Sequence, residues 1–127
     1  MTARTLVKVS AAIEAATGVA LIVNPGLVVE ILLGVGVSGA GIAVGRVGGF
    51  GLLSLGLVCW PNGDDVNVRA SWVLFLYNLL ACLYLCYLRV GGGFTGYVLW
   101  LAVGLHAVLT LLLARPAFVA ISALKTA

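Results

Sequence analysis

The stretch Gly41-Ile42-Ala43-Val44-Gly45-Arg46-Val47-Gly48-Gly49-Phe50-Gly51 lies inside an apolar run that reaches Trp60. A run that long with a single charge reads as a membrane-spanning helix. Gly41, Gly45 and Gly49 fall four apart, and Gly48 falls seven after Gly41, so one helix face is almost bare of side chains. Another helix backbone can approach closely there. Arg46 stands beside that face; it keeps its proton and is costly in hydrocarbon. The stretch therefore specifies a polytopic membrane protein with a charge to accommodate.

The remainder of the chain points the same way. Its 127 residues are 63% hydrophobic and 9% charged, against about 25% charged in a soluble domain. Mean hydropathy is +1.22. Too few polar residues exist to cover a globule, so lipid is the expected solvent. We expect one all-α integral membrane domain over residues 1–127, a four-transmembrane-helix bundle. Its spans fall at about 5–23, 40–60, 70–88 and 96–114, each just long enough to cross ~30 Å of hydrocarbon. Backbone groups find no water there, which makes the spans helical despite their glycine and valine. The net charge of +3 is modest, and it carries no nucleic-acid reading.

Breaks between the spans are written in proline, glycine and charge. Asn24-Pro25-Gly26 ends the first span. That span follows Arg4 and Lys8, but Glu14 interrupts it and no clean cleavage site follows, so we read an uncleaved helix. Leu27 to Val35 is apolar apart from Glu30 and too short to cross; it is expected to be interfacial or re-entrant. Pro61-Asn62-Gly63-Asp64-Asp65 is a turn, and Arg89 with Gly91, Gly92 and Gly93 breaks the third span. Arg115-Pro116 is expected to stop the fourth, leaving residues 117–124 as a short interfacial tail. With the N-terminus inside, the inner side holds Arg4, Lys8, Arg69, Arg115 and Lys125 and the outer side only Arg89. The bias predicts an N-in/C-in topology. Trp60 and Trp72 would form one aromatic belt, and Tyr84, Tyr87, Phe94, Tyr97 and Trp100 the other.

Each span carries one strongly polar residue: Glu14, Arg46, Asn78 and His106. Three sit near the centres of their spans; Arg46 lies about four residues outward, ~6 Å at the helical rise. An isolated charge at mid-bilayer costs at least ~3 kcal/mol, so we expect a Glu14–Arg46 ion pair completed by Asn78 and His106. The other course open to Arg46 is to reach outward to headgroups, because its side chain leans towards the helix N-terminus. The cluster admits two readings: a device that fixes helix register, or a ligand or proton site. Gly18, on the Ser10–Ala11–Glu14 face, is the expected partner of the glycine face of Gly41, Gly45, Gly48 and Gly49. Ser10, Ser71 and Thr110 are further hydroxyls for the cluster, whereas Tyr77, next to Asn78, is expected to point elsewhere.

No metal or catalytic site is expected. His106 is the one histidine, and Cys59, Cys82 and Cys86 lack metal-finger spacing and read as packing residues. No nucleophile–base–acid spacing is visible, and the glycines lack the strand–turn–helix setting of a phosphate loop.

The layout resembles a known family. An acid in the first helix, Pro25 and Leu32-Leu33-Gly34 after it, Gly45-Arg46 leading into Gly51-Leu52-Leu53-Ser54-Leu55-Gly56, then Asn78 and His106, is similar to small bacterial four-helix membrane proteins of the DoxX-like type. The resemblance covers nearly the whole chain in layout. It implies a multi-pass protein of the bacterial inner membrane and an accessory membrane subunit, some members being implied to serve quinone-linked oxidoreductases. The expected function is a non-enzymatic accessory subunit contacting other membrane subunits or itself. The alternative is a small transporter or a binder of a lipophilic, quinone-like molecule through Glu14, Arg46, Asn78 and His106. The residues name no cofactor.

Overall fold

The computed structural model describes residues 1–62 and 68–125, except the side chains of 120, 121 and 123–125. Five helices occur among them: α1 (Ala3–Val23), α2 (Pro25–Leu33), α3 (Ala40–Val58), α4 (Val68–Val90) and α5 (Leu99–Lys125). Four are long and apolar enough to cross a membrane: α1, α3, α4 and residues Leu99–Val119 of α5.

Local chemistry sets the boundaries. The Thr2 hydroxyl caps α1 by accepting from Thr5 N at 3.2 Å. Asn24 serves two helices: its backbone N–H donates to Ala20 O, closing α1, and its Oδ1 accepts from Leu27 N at 3.1 Å, opening α2 with Pro25 in the first turn. Residues 27–33 thus belong to a nine-residue helix that follows α1 without a loop. Gly34 ends it in the left-handed region, at φ 77°. The end of α2 is pinned against the segment before α5. A Cβ on Gly34 would lie 2.9 Å from Gly96 N, and one on Gly96 would meet the Leu32 carbonyl.

The bundle is two antiparallel pairs. α1 packs along α3, α4 packs along α5, and α1 joins the pairs by touching α4 and α5. Among the described residues α3 and α4 lack the close backbone approach seen within each pair. The α1–α3 interface is backbone on backbone. A Cβ on Gly18 would come within 2.5 Å of Leu53 N and 2.7 Å of Gly49 O, and one on Gly56 within 2.5 Å of Ala11 O. Gly45 closes on Pro25. The glycine face is therefore Gly45, Gly49 and Gly56 against Gly18. Gly48 faces open space, and Gly41 meets only Val37 of its own approach segment.

A hydrophobic core gathers near the Thr2 end. Leu6, Val7 and Ala11 of α1, Leu74 and Phe75 of α4 and Leu109, Leu113 and Ala117 of α5 form it, with Cys59. Here the expected stop at Arg115-Pro116 is overturned, because α5 runs on as helix past Pro116. Proline inside a helix costs ~3 kcal/mol. The continuation is held because Ala117 is fully buried and the Phe118 ring meets Trp72 and Phe75 edge-on, at 5.8 and 5.6 Å. Trp72 consequently packs within this aromatic group. The turn expected at 61–65 falls in part outside the described residues.

Candidate functional site

The polar residues assemble on three helices. α1 buries Leu6, Val7, Ser10, Ala11, Glu14 and Gly18, one face of a 3.6-residue repeat. Ser10 and Glu14 are therefore carried into the interior with the core residues; Ser10 is wholly buried and Glu14 is 1% exposed. α4 places Asn78 opposite them, fully buried. Asn78 Nδ2 donates to Ser10 Oγ at 3.0 Å and to Leu74 O at 2.8 Å, and Asn78 Oδ1 lies 2.8 Å from His106 Nδ1 on α5. Thr110 donates its hydroxyl to His106 O, holding itself on its own helix.

These bonds settle the amide and the ring. A carbonyl only accepts, so the side of Asn78 facing Leu74 O carries the nitrogen, and the oxygen faces His106. His106 Nδ1 then carries the proton, and in the neutral imidazole Nε2 is left as the acceptor.

Tyr77 joins the group, contrary to its expected outward direction. Its hydroxyl comes up beside the Glu14 carboxyl group, and its ring meets that of His106 edge-on at 5.9 Å. Neighbours in a helix point ~100° apart, and α4 has two inward neighbours, α1 and α5, so both Tyr77 and Asn78 face protein. The Glu14 carboxylate is still incompletely satisfied: its Oε1 is buried with no hydrogen-bond partner. Ser71 Oγ is likewise buried without one.

Arg46 does not take part. It is exposed, and its Nε donates to Ile22 O, a terminal carbonyl of α1, at 3.3 Å. The expected Glu14–Arg46 pair is thus replaced by a helix-end contact, and stagger is the reason. Gly56 packs on Ala11 and Ala15, and Gly49 on Gly18 and Ile22. Glu14 therefore lies level with Gly56, and Arg46 is ten residues away along α3, ~15 Å at the helical rise. Glu14→Gln and Arg46→Met should then destabilise additively, within ~0.5 kcal/mol in a double-mutant cycle read by thermal unfolding in detergent. Glu14→Gln combined with Tyr77→Phe should depart from additivity. An interaction energy between Glu14 and Arg46 of 1 kcal/mol or more would contradict the observed stagger.

Among the described residues no three of the His, Cys, Asp and Glu side chains converge, so the geometry offers no metal cage. Cys59 is buried in the core, and Cys82 points its thiol at Val103 O, 3.7 Å away. Comparison with protein-family models, with curated proteins and with solved structures found no match. The site must therefore be read from its own geometry. It is a hydrogen-bonded chain Ser10–Asn78–His106, with the Glu14–Tyr77 pair alongside and one carboxylate oxygen unmet.

Proposed function

We propose that the protein is a non-enzymatic accessory subunit of a membrane complex, seated N-in/C-in in a bacterial inner membrane, as the DoxX-like layout also suggests. The observation that carries this reading is the open seam between α3 and α4. α3 is held by α1 and, near its start, by α2, and its far side presents Val44, Val47, Phe50 and Leu57, all exposed, around Gly48 and Gly51, which have nothing within 4 Å. Beside it a hollow of about 490 Å³ runs between Gly51, Ser54, Val58, Ala70 and Val73. A transmembrane helix of another subunit, or of a second copy, fits that seam. Helices associate in lipid by close van der Waals packing over small residues, and a bare backbone with a hollow beside it supplies the room. On this reading the buried network is the internal key that holds the two helix pairs in register, and α2 lies at the outer surface, between the first two crossings.

A substitution separates assembly from folding. Gly51→Leu adds a side chain where nothing in this chain stands, so its thermal unfolding should stay within ~0.5 kcal/mol of the parent. In mild detergent the parent should elute as an oligomer or with a bound subunit, and Gly51→Leu should elute alone. A parent that is itself a lone monomer, or an assembly indifferent to Gly51→Leu, would remove the proposal.

A further inference from the structure

A hollow of about 450 Å³ opens at the Thr2 end, between Ala3 and Leu6 of α1 and Leu112, Arg115, Pro116 and Val119 of α5. We infer that this hollow seats an anionic phospholipid, with its phosphodiester on Arg115 and the upper part of one chain against Leu6 and Leu112. The inference stands independently of the subunit reading and needs only that the apolar helices lie in a bilayer.

The level of the hollow comes first. The apolar span of α1 begins at Ala3 and that of α5 ends at Val119, and both residues line the hollow. It therefore lies where hydrocarbon gives way to headgroups. Arg115 stands four residues inside that limit, ~6 Å at the helical rise. Its side chain leaves the helix towards Leu112, on the apolar side, because Cβ tilts to the helix N-terminus. A guanidinium held there keeps its charge and is costly beside hydrocarbon. An anion that brings its own apolar body suits such a place better than one drawn from water.

Charge sets the sign of the ligand. Arg115 is exposed, and no acid lines the hollow among the described residues. Glu14 is buried two turns deeper than Leu6 along α1, Glu30 belongs to α2 at the opposite end, and Asp64 and Asp65 fall outside the described residues. The planar guanidinium matches two phosphate oxygens at once, and basic pockets between transmembrane helices hold anionic headgroups in this way. A zwitterionic lipid offers the same phosphate with a cation fixed beside it, so net charge is what the hollow selects. Its volume suits a headgroup and the start of one chain, and the rest of the lipid stays in the bilayer.

Dioleoyl phosphatidylglycerol and dioleoyl phosphatidylcholine share their chains and differ in net charge. Native mass spectrometry of the whole chain from mild detergent should show the phosphatidylglycerol binding at least ~5-fold more tightly, as about 1 kcal/mol per basic residue near a surface implies. Arg115→Gln should bring the two lipids to equal affinity, and Arg115→Lys should retain a preference. Val119→Glu, at an exposed position on the wall, should cancel the preference by placing a carboxylate in the hollow. Lys8→Gln, at the same end but off the wall, should leave it intact. Inorganic phosphate at the lipid's concentration should displace nothing. Equal binding of the two lipids to the parent, or an equal loss in Lys8→Gln and Arg115→Gln, would overturn the inference, the second by showing a diffuse attraction. Displacement by inorganic phosphate would overturn it in favour of a free anion. Should Arg115→Gln fail to accumulate, Val119→Glu decides it, and a preference that survives that change would sink the site. The readout is lipid bound per chain, so its failure leaves the question of subunit assembly untouched.

Discussion

Gly18→Val is expected to lower the thermal stability of the detergent-solubilised protein by 3 kcal/mol or more, while Gly48→Val changes it by less than ~0.5 kcal/mol. The two glycines look alike in composition and differ in what stands over them. At Gly18 the first atom of any side chain would fall 2.5 Å from Leu53 N and 2.7 Å from Gly49 O. Both are backbone atoms of a partner helix and cannot rotate away. Overpacking a yielding core costs ~1–3 kcal/mol, and here relief needs α3 to move bodily off α1. That movement would also strip Gly49 and Gly56 of their contacts with Ile22 and Ala11. Over Gly48 nothing of this chain lies within 4 Å, so valine there disturbs no contact of the fold. Circular dichroism melts of both variants in one detergent check the contrast. Equal destabilisation would mean that α1 and α3 are not in backbone contact.

Asn78→Leu should be the most damaging change among the polar residues, costing about 1–3 kcal/mol. Leucine keeps the volume and removes three hydrogen bonds, to Ser10, Leu74 and His106. The Leu74 carbonyl belongs to a helix turn and tolerates the loss. Ser10 Oγ and His106 Nδ1 are left without the partner that joined α1 to α5, and each orphaned buried group costs ~1–3 kcal/mol. Hydrogen bonds between membrane helices average less, which sets the lower bound. The change also releases the ring tautomer. In the parent, nitrogen NMR should find the His106 proton on Nδ1; in Asn78→Leu that preference should vanish. A variant with the parental melting temperature would show that the network holds nothing together.

The four long apolar helices were readable from hydropathy, glycine and proline. So was the burial of Glu14 and Asn78, since a lone polar residue in an apolar span has little choice but to face protein. Three features were not. The stagger of α3 on α1 depends on which glycine seats over which backbone bump, and several registers satisfy a repeat of four; the one adopted puts Gly56, rather than residue 50, beside Glu14. Arg46 therefore meets the Ile22 carbonyl rather than the carboxylate that the sequence suggests for it. Tyr77 escapes a sequence reading because α4 has two inner faces, towards α1 and α5, where a single apolar stripe would give it one. A local rule ends the fourth span at Pro116, and Ala117 and the Phe118 ring override it in α5 through packing.

The pairing of α1 with α3 and of α4 with α5 has a consequence for biogenesis. Each pair is drawn from one half of the chain, so the first can close while the ribosome is still making the second. The carboxyl group of the first helix is then still uncovered, its tyrosine neighbour not yet synthesised. Emergence of the tyrosine and asparagine of the fourth helix ends that exposure, making late insertion of the second half the step that draws the finished protein together.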